Sequence, residues 1–152
     1  MTKSLAPNHS HLADCHYNIG LVYCDMKNHS EALLSYDKAL EIYQKSLPTN
    51  HPYFAHLYGS IANTHHQICD YSKALSYHEM ALDIQRKSLP PTHPHLAISF
   101  NNIGWTYENI NEYSKAHSYY ERAVSIAQKS LSEDNSSVQL YKKNLDRIKI
   151  KI

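Results

Sequence analysis

The chain has 152 residues and a formal net charge of +1 at pH 7, and it contains only 3 glycines. So few glycines argue against a glycine-rich phosphate-binding loop and against a β-sandwich or barrel, whose turns need glycine. The balanced charge argues against a nucleic-acid partner or an anionic membrane surface. No apolar run approaches the roughly 20 residues of a membrane span, and no signal-peptide pattern opens the sequence. With only 3 cysteines and no CxxC pair, we expect a cytoplasmic protein without a disulfide scaffold.

The sequence repeats itself with a period of 42 residues, and a Ser-Leu pair opens each copy. Ten positions are identical in three successive segments, and the second and third segments alone share 19 of 42 residues. Self-similarity at a fixed period is typical of stacked repeats. We therefore predict repeats over residues 4–45, 46–87 and 88–129, followed by a partial repeat over 130–152.

Each repeat is predicted to form two helices joined by a short turn, because all 6 prolines lie at the repeat boundaries. In the third repeat the helices are predicted over roughly 95–109 and 113–130, where apolar or small residues recur on one face. These residues are Leu96, Phe100, Ile103, Gly104 and Tyr107 in the first helix, and Ala116, Tyr120, Ala123, Val124 and Ala127 in the second. Turns of this length make the two helices antiparallel.

One pattern of small and aromatic residues recurs in all three repeats. It is Gly20, Tyr23, Ala32, Tyr36, Ala39, then Ala62, His65, Ala74, His78, Ala81, then Gly104, Tyr107, Ala116, Tyr120, Ala123. This pattern resembles the tetratricopeptide repeat, and the longer period with its Ser-Leu-Pro link is similar to the kinesin-light-chain class. The resemblance implies an all-α, right-handed superhelical solenoid that acts as a non-catalytic protein-interaction scaffold or adaptor.

The C-terminal segment is predicted to be a capping helix. Its apolar residues fall on one stripe and basic residues cover the rest, as in a helix that shields the last repeat and exposes a polar face. The stripe is Val138, Tyr141, Leu145, Ile148 and Ile152. The alternative is a helix that binds a membrane surface or nucleic acid. The N-terminus has no matching cap, so we expect Leu12, Ile19 and Tyr23 to be incompletely covered and the chain to self-associate.

The first helices of such repeats line a concave groove. The stripe next to the core stripe carries amides and aromatic residues, which suit the backbone of a bound peptide. The candidate groove residues are Tyr17, Leu21, Asn63, Gln67, Asn101, Trp105 and Asn109. Trp105 is the expected anchor; the alternatives are that it packs in the core and that the amides are merely solvated.

The predicted ligand is a neutral or mildly basic peptide. Kinesin light chains hold acidic cargo motifs with basic residues, but this groove stripe contains Asp14, Asp25 and Glu108 and no lysine or arginine. The same absence argues against a carboxylate clamp for a chaperone tail. No coiled coil for joining a motor is present in the sequence.

The 12 histidines raise the possibility of a metal site or a catalytic site. Only His66 and Cys69 have ligand spacing, and structural zinc needs four ligands, so we expect no metal, no cofactor and no catalytic residues. His65 and His78 occupy interior positions, which predicts loss of stability in acid. Two rival functions remain open: a repeat tail of a longer enzyme, and a histidine-rich metal-binding module.

Overall fold

The computed structural model describes residues 8–152, which form seven α-helices and no strand. The helices are α1 (Asn8–Asp25), α2 (His29–Ser46), α3 (Pro52–Gln67), α4 (Tyr71–Ser88), α5 (Pro94–Asn109), α6 (Tyr113–Ser130) and α7 (Ser136–Lys149). The Ser4-Leu5 pair at the start of the predicted first repeat lies outside the described residues. The predicted all-α solenoid is confirmed: three antiparallel pairs, α1/α2, α3/α4 and α5/α6, stack in chain order and α7 follows them.

Local chemistry sets the helix boundaries. Pro52 and Pro94 begin α3 and α5, where a missing N–H costs no hydrogen bond. The preceding histidines accept a hydrogen bond from the first turn through Nδ1, 3.2 Å from the Tyr53 N–H and 3.1 Å from the His95 N–H. Inside each pair the turn contains one residue in the left-handed region, with φ of 62–64° at Lys27, Cys69 and Asn111. These three residues reverse the chain at equivalent positions.

Within the first and third pairs a glycine lets the two helices approach closely. A Cβ at Gly104 would lie 2.8 Å from the Tyr120 ring and 3.3 Å from the backbone oxygen of Ala116, and a Cβ at Gly20 would overlap the Tyr36 ring. Both tyrosines are fully buried. The equivalent positions of the second pair hold Ala62 and His78, which are also buried.

The capping helix covers the third pair with Val138, Tyr141 and Ile148, which are buried against α5 and α6. Leu145 is partly buried in the same contact. Ile152 was expected to extend this stripe, but it lies beyond the end of α7 and is exposed. The reason is positional: Ile68 and Ile110, which precede it by multiples of the 42-residue period, are exposed just past α3 and α5 as well.

Candidate functional site: the concave groove

Polar side chains of α1, α3 and α5 bridge each helix pair to the next one. The Tyr17 hydroxyl lies 3.0 Å from Ser60 Oγ, and His66 Nδ1 lies 3.1 Å from Thr106 Oγ1. At the next junction, between α5 and α7, the Asn144 amide donates to Asn101 Oδ1 over 2.9 Å. These bonds satisfy polar groups that burial would otherwise strip of water, and they fix how each pair is oriented on its neighbour.

A cleft of about 680 Å³ lies between α5 and α7, at the C-terminal end of the solenoid. It brings together three of the predicted groove residues, Asn101, Trp105 and Asn109. The other lining residues come from α5, from the turn after it, from the start of α6, and from α7 and the residues just after it; they are Asn102, Glu108, Asn111, Tyr113, Leu140, Asn144, Arg147 and Lys151. Five of the eleven side chains are asparagine amides, which can both donate and accept hydrogen bonds.

Trp105 is the most prominent aromatic residue of this C-terminal cleft. Its side chain is 45% exposed, and its indole stacks on the buried imidazole of His66 with ring centroids 3.7 Å apart. On the same helix the Asn109 amide donates to the Trp105 carbonyl over 2.8 Å. One face of the indole is therefore held by α3, while the rest remains accessible from the groove.

Charge in the C-terminal cleft is concentrated in one network. Arg147 donates through Nε and Nη2 to the two carboxylate oxygens of Glu108, over 3.0 and 2.7 Å. The Tyr120 hydroxyl donates to the same carboxylate over 2.7 Å. The hydrogen bond from Arg147 lowers the pKa of Glu108, while burial and the Glu108 contact raise the pKa of Tyr120. Lys151 lies 3.7 Å from Glu108, so two cations face one carboxylate.

The sequence reasoning missed that Arg147 and Lys151 line this cleft, because their segment was interpreted only as a cap. The signal that could have found them was the repeat period. Adding 42 residues to the groove candidates Trp105 and Asn109 gives Arg147 and Lys151. The groove stripe therefore continues into α7 and the residues just after it, and both of these positions are basic.

The remaining candidate residues lie nearer the N-terminal end. Tyr17 and Asn63 line a central cleft of about 210 Å³, although Tyr17 is partly buried against the Tyr36 ring. Leu21 and Gln67 are exposed on α1 and α3. The candidates thus divide among the C-terminal cleft, the central cleft and the open helix surface.

Burial lowers the pKa of three histidines in the second pair. His78 has its pKa lowered to about 4 by burial and by the neighbouring His66, whose own pKa burial also lowers. For His65 burial again dominates in lowering the pKa, and nearby Asp70 opposes it. All three side chains are therefore neutral at neutral pH.

Two further observations bear on what this surface can do. Within residues 8–152 no group of three or more histidine, cysteine, aspartate or glutamate side chains is arranged to hold a metal ion. None of the helices in that range is both long enough and apolar enough to cross a lipid bilayer.

Comparisons with known proteins agree with the stacked helix pairs described above. Two tetratricopeptide repeat models match this chain, one over residues 53–129 and another over residues 13–46. No curated protein sequence matches it.

Among solved structures, a "putative kinesin light chain nearly identical TPR-like repeats" from Podosopora anserina is similar, with a TM-score of 0.84 and 20% identity. That match covers 96% of this chain and 69% of the other. BtubC (BKLC) from P. vanneervenii has a TM-score of 0.85 at 20% identity, over 92% of this chain and 56% of that one. The first TPR of Spaghetti (RPAP3), solved bound to the HSP90 peptide SRMEEVD, has a TM-score of 0.68 at 16% identity and covers 93% of both chains.

Proposed function

The chain belongs to the tetratricopeptide repeat family, and from this premise we propose that it is a non-catalytic scaffold that binds an extended peptide of a partner protein. The role would be similar to that of kinesin-light-chain-type adaptors. The fold supports a protein-interaction function in general, and a solved repeat domain of similar fold holds a peptide. The 3 free cysteines favour a reducing compartment, and so the cytoplasm, as the place of action.

The observation that carries this proposal is Trp105. It is held on one side by His66 and exposed on the other, inside a cleft lined by asparagine amides. A rigid aromatic side chain loses little conformational entropy when it buries a ligand group, which is why tryptophan so often anchors an interface. The surrounding amides can pair with the backbone N–H and C=O groups of an extended chain.

The ligand's charge preference would differ along the groove. Near α1 the predicted groove stripe contains the exposed Asp25 and Asp14, which accepts a hydrogen bond from the Tyr43 hydroxyl; both carboxylates support the expectation of a neutral or mildly basic peptide. At the C-terminal cleft Arg147 is paired with Glu108, while Lys151 adds a further positive charge. We propose that a peptide carboxylate is tolerated beside Trp105 and that basic ligand residues are favoured towards α1.

The test is selection of binding peptides from a random library displayed on phage, followed by titration of the selected peptides. Trp105 is the only tryptophan, so its fluorescence reports directly on occupation of the cleft in the native chain, and calorimetric titration measures the variant that lacks it. Trp105→Ala should weaken binding by about 2 kcal/mol or more, which is about thirtyfold, while the helical circular dichroism stays unchanged.

Leu34→Ala is the matched control, because Leu34 is an exposed apolar residue on α2, away from both clefts. It should leave peptide affinity unchanged. Selected peptides that bind Trp105→Ala as tightly as the native chain would contradict a groove anchored by this residue. A large fall in the melting temperature of that variant would contradict it as well.

A further inference from the structure

An apolar stripe on α1 has no partner among the described residues. It consists of Leu12, Cys15, Ile19 and Val22, spaced three, four and three residues apart, so that all four lie on one face of the helix. All four side chains are exposed, with Leu12 at 48% and Ile19 at 45%. We call these residues the N-terminal stripe.

The repeat period shows what this kind of surface packs against. The residues 84 positions later are Leu96, Ser99, Ile103 and Thr106, and α5 buries all of them where it meets the second pair. Leu96 and Ile103 are 3% and 0% exposed. The same positions in α3 and α7 are also buried or half-buried. The N-terminal stripe therefore has the form of a helix-packing surface that no other part of residues 8–152 covers.

The opposite end of the solenoid cannot cover this stripe in a second copy. Where α5 presents Phe100, Gly104 and Tyr107 to its partner helix, α7 carries Lys142, Asp146 and Lys149 one repeat later. Docking an apolar helix there would bury three charged groups, of which Lys142 alone has an ion-pair partner among residues 8–152, Glu133. Head-to-tail stacking of copies into a filament is therefore disfavoured, and a symmetric contact between two N-terminal ends is left.

We propose that the N-terminal stripe pairs with the same stripe of a second copy of this chain, forming a closed two-fold dimer. The three-four spacing is the one by which two helices interlock side chains along a seam. His11, Asn18 and Asp25 follow one flank of the stripe. In an antiparallel crossing, His11 of one copy lies beside Asp25 of the other, where an imidazole N–H can donate to the carboxylate, so the contact is self-complementary. This dimer leaves both C-terminal clefts free.

Sedimentation equilibrium of the chain over a wide concentration range tests the proposal. The expected result is a monomer–dimer equilibrium whose mass levels off at two copies. Ile19→Asp places a charge in the middle of the stripe and should leave the chain monomeric at every concentration where the native chain is dimeric. Leu34→Asp is the matched control, since Leu34 is 54% exposed on α2 of the same pair and its equivalents are Ser76 and Ser118.

Circular dichroism establishes that both variants retain their helices; Val22→Asp, a second substitution in the stripe, should act as Ile19→Asp does. A native chain that stays monomeric at high concentration would overturn the proposal. So would a dimer that survives both stripe substitutions, or one that Leu34→Asp disrupts equally. A mass that keeps growing beyond two copies would overturn the closed symmetric contact.

Discussion

The second and third helix pairs adopt the same fold with different residues at their narrowest contact. In the third pair Gly104 faces Tyr120, whose hydroxyl donates to Glu108. In the second pair the three equivalent positions hold Ala62, His78 and His66. A larger residue on the first helix thus occurs with a smaller ring on the second.

This difference indicates that the size of the small residue on the first helix is matched to the size of the ring it faces on the second helix. Two helices at fixed separation leave a fixed volume between them, and protein interiors are packed too tightly to absorb an extra methyl group freely. The second pair has room for an alanine methyl group because histidine has the smaller ring. As a consequence, the second pair buries a histidine, which can take up a proton in mild acid, where the third pair buries a tyrosine, which cannot. The stability of the two pairs should therefore respond differently to acid.

The largest expected effect is loss of stability of the second pair in mild acid. His78 has a pKa of about 4 in the folded chain, against the ordinary histidine value of 6.5. Below pH 6.5 the unfolded chain therefore binds protons that the folded chain does not, and stability falls with pH until the folded pKa is reached. By pH 5 this histidine alone should remove about 2 kcal/mol from the free energy of unfolding. Urea unfolding at pH 7.5 and 5 measures it.

Glu108 in the third pair stays ionised at both pH values, because the hydrogen bond from Arg147 lowers its pKa. Hydrogen exchange should show the second pair opening before the third. The control is the double variant Ala62→Gly with His78→Tyr, which copies the Gly104–Tyr120 contact and should flatten most of the pH dependence. Equal exchange of both pairs at both pH values would contradict the assignment to these histidines.

The next effect separates two glycines, Gly59 and Gly104, that lie on the first helices of the second and third pairs. Gly104→Ala forces a methyl group to within 3.0 Å of the buried Tyr120 ring, so we expect a net loss of about 1–2 kcal/mol. Gly59→Ala meets no heavy atom within 4 Å, and the better helix propensity of alanine should add about 0.5–1 kcal/mol. If contact with the Tyr120 ring decides the outcome, thermal unfolding will show a lower melting temperature for Gly104→Ala and a higher one for Gly59→Ala.

Periodicity was enough to predict the packing within each pair. The pattern of Gly104, Tyr120 and their equivalents places small and large residues correctly, because stacked repeats bury the same positions each time. Periodicity did not separate the concave surface from the contact with the next pair, since neighbouring stripes on one helix are only about 100° apart. Asn101 therefore lies in the groove stripe while its amide oxygen accepts from Asn144. Arg147 was missed because a cap was not treated as a groove-lining helix.

The smallest effect compares the starts of α4 and α6, which differ in whether the residue before the helix caps it. Asp70 accepts a hydrogen bond from the Lys73 N–H over 3.4 Å, whereas Glu112, at the same position before α6, makes no side-chain cap bond. The charge environment is matched: Lys73 lies 3.8 Å from Asp70, and Lys115 lies 3.9 Å from Glu112.

Because Glu112→Asp keeps the charge and shortens the side chain by one methylene, the helix dipole contribution stays constant and only the cap geometry changes. We expect a gain of about 0.5–1 kcal/mol, and a similar loss for the reciprocal Asp70→Glu. Chemical unfolding at about pH 8 measures both, since His65, which lies 3.7 Å from Asp70, is neutral there. If the two substitutions change stability in the same direction, the cap is not what distinguishes these helix starts. Opposite changes of similar size would show that α6 lacks the stabilising N-cap hydrogen bond that α4 has. The second pair, which is the more sensitive to acid, would then have the better-capped second helix.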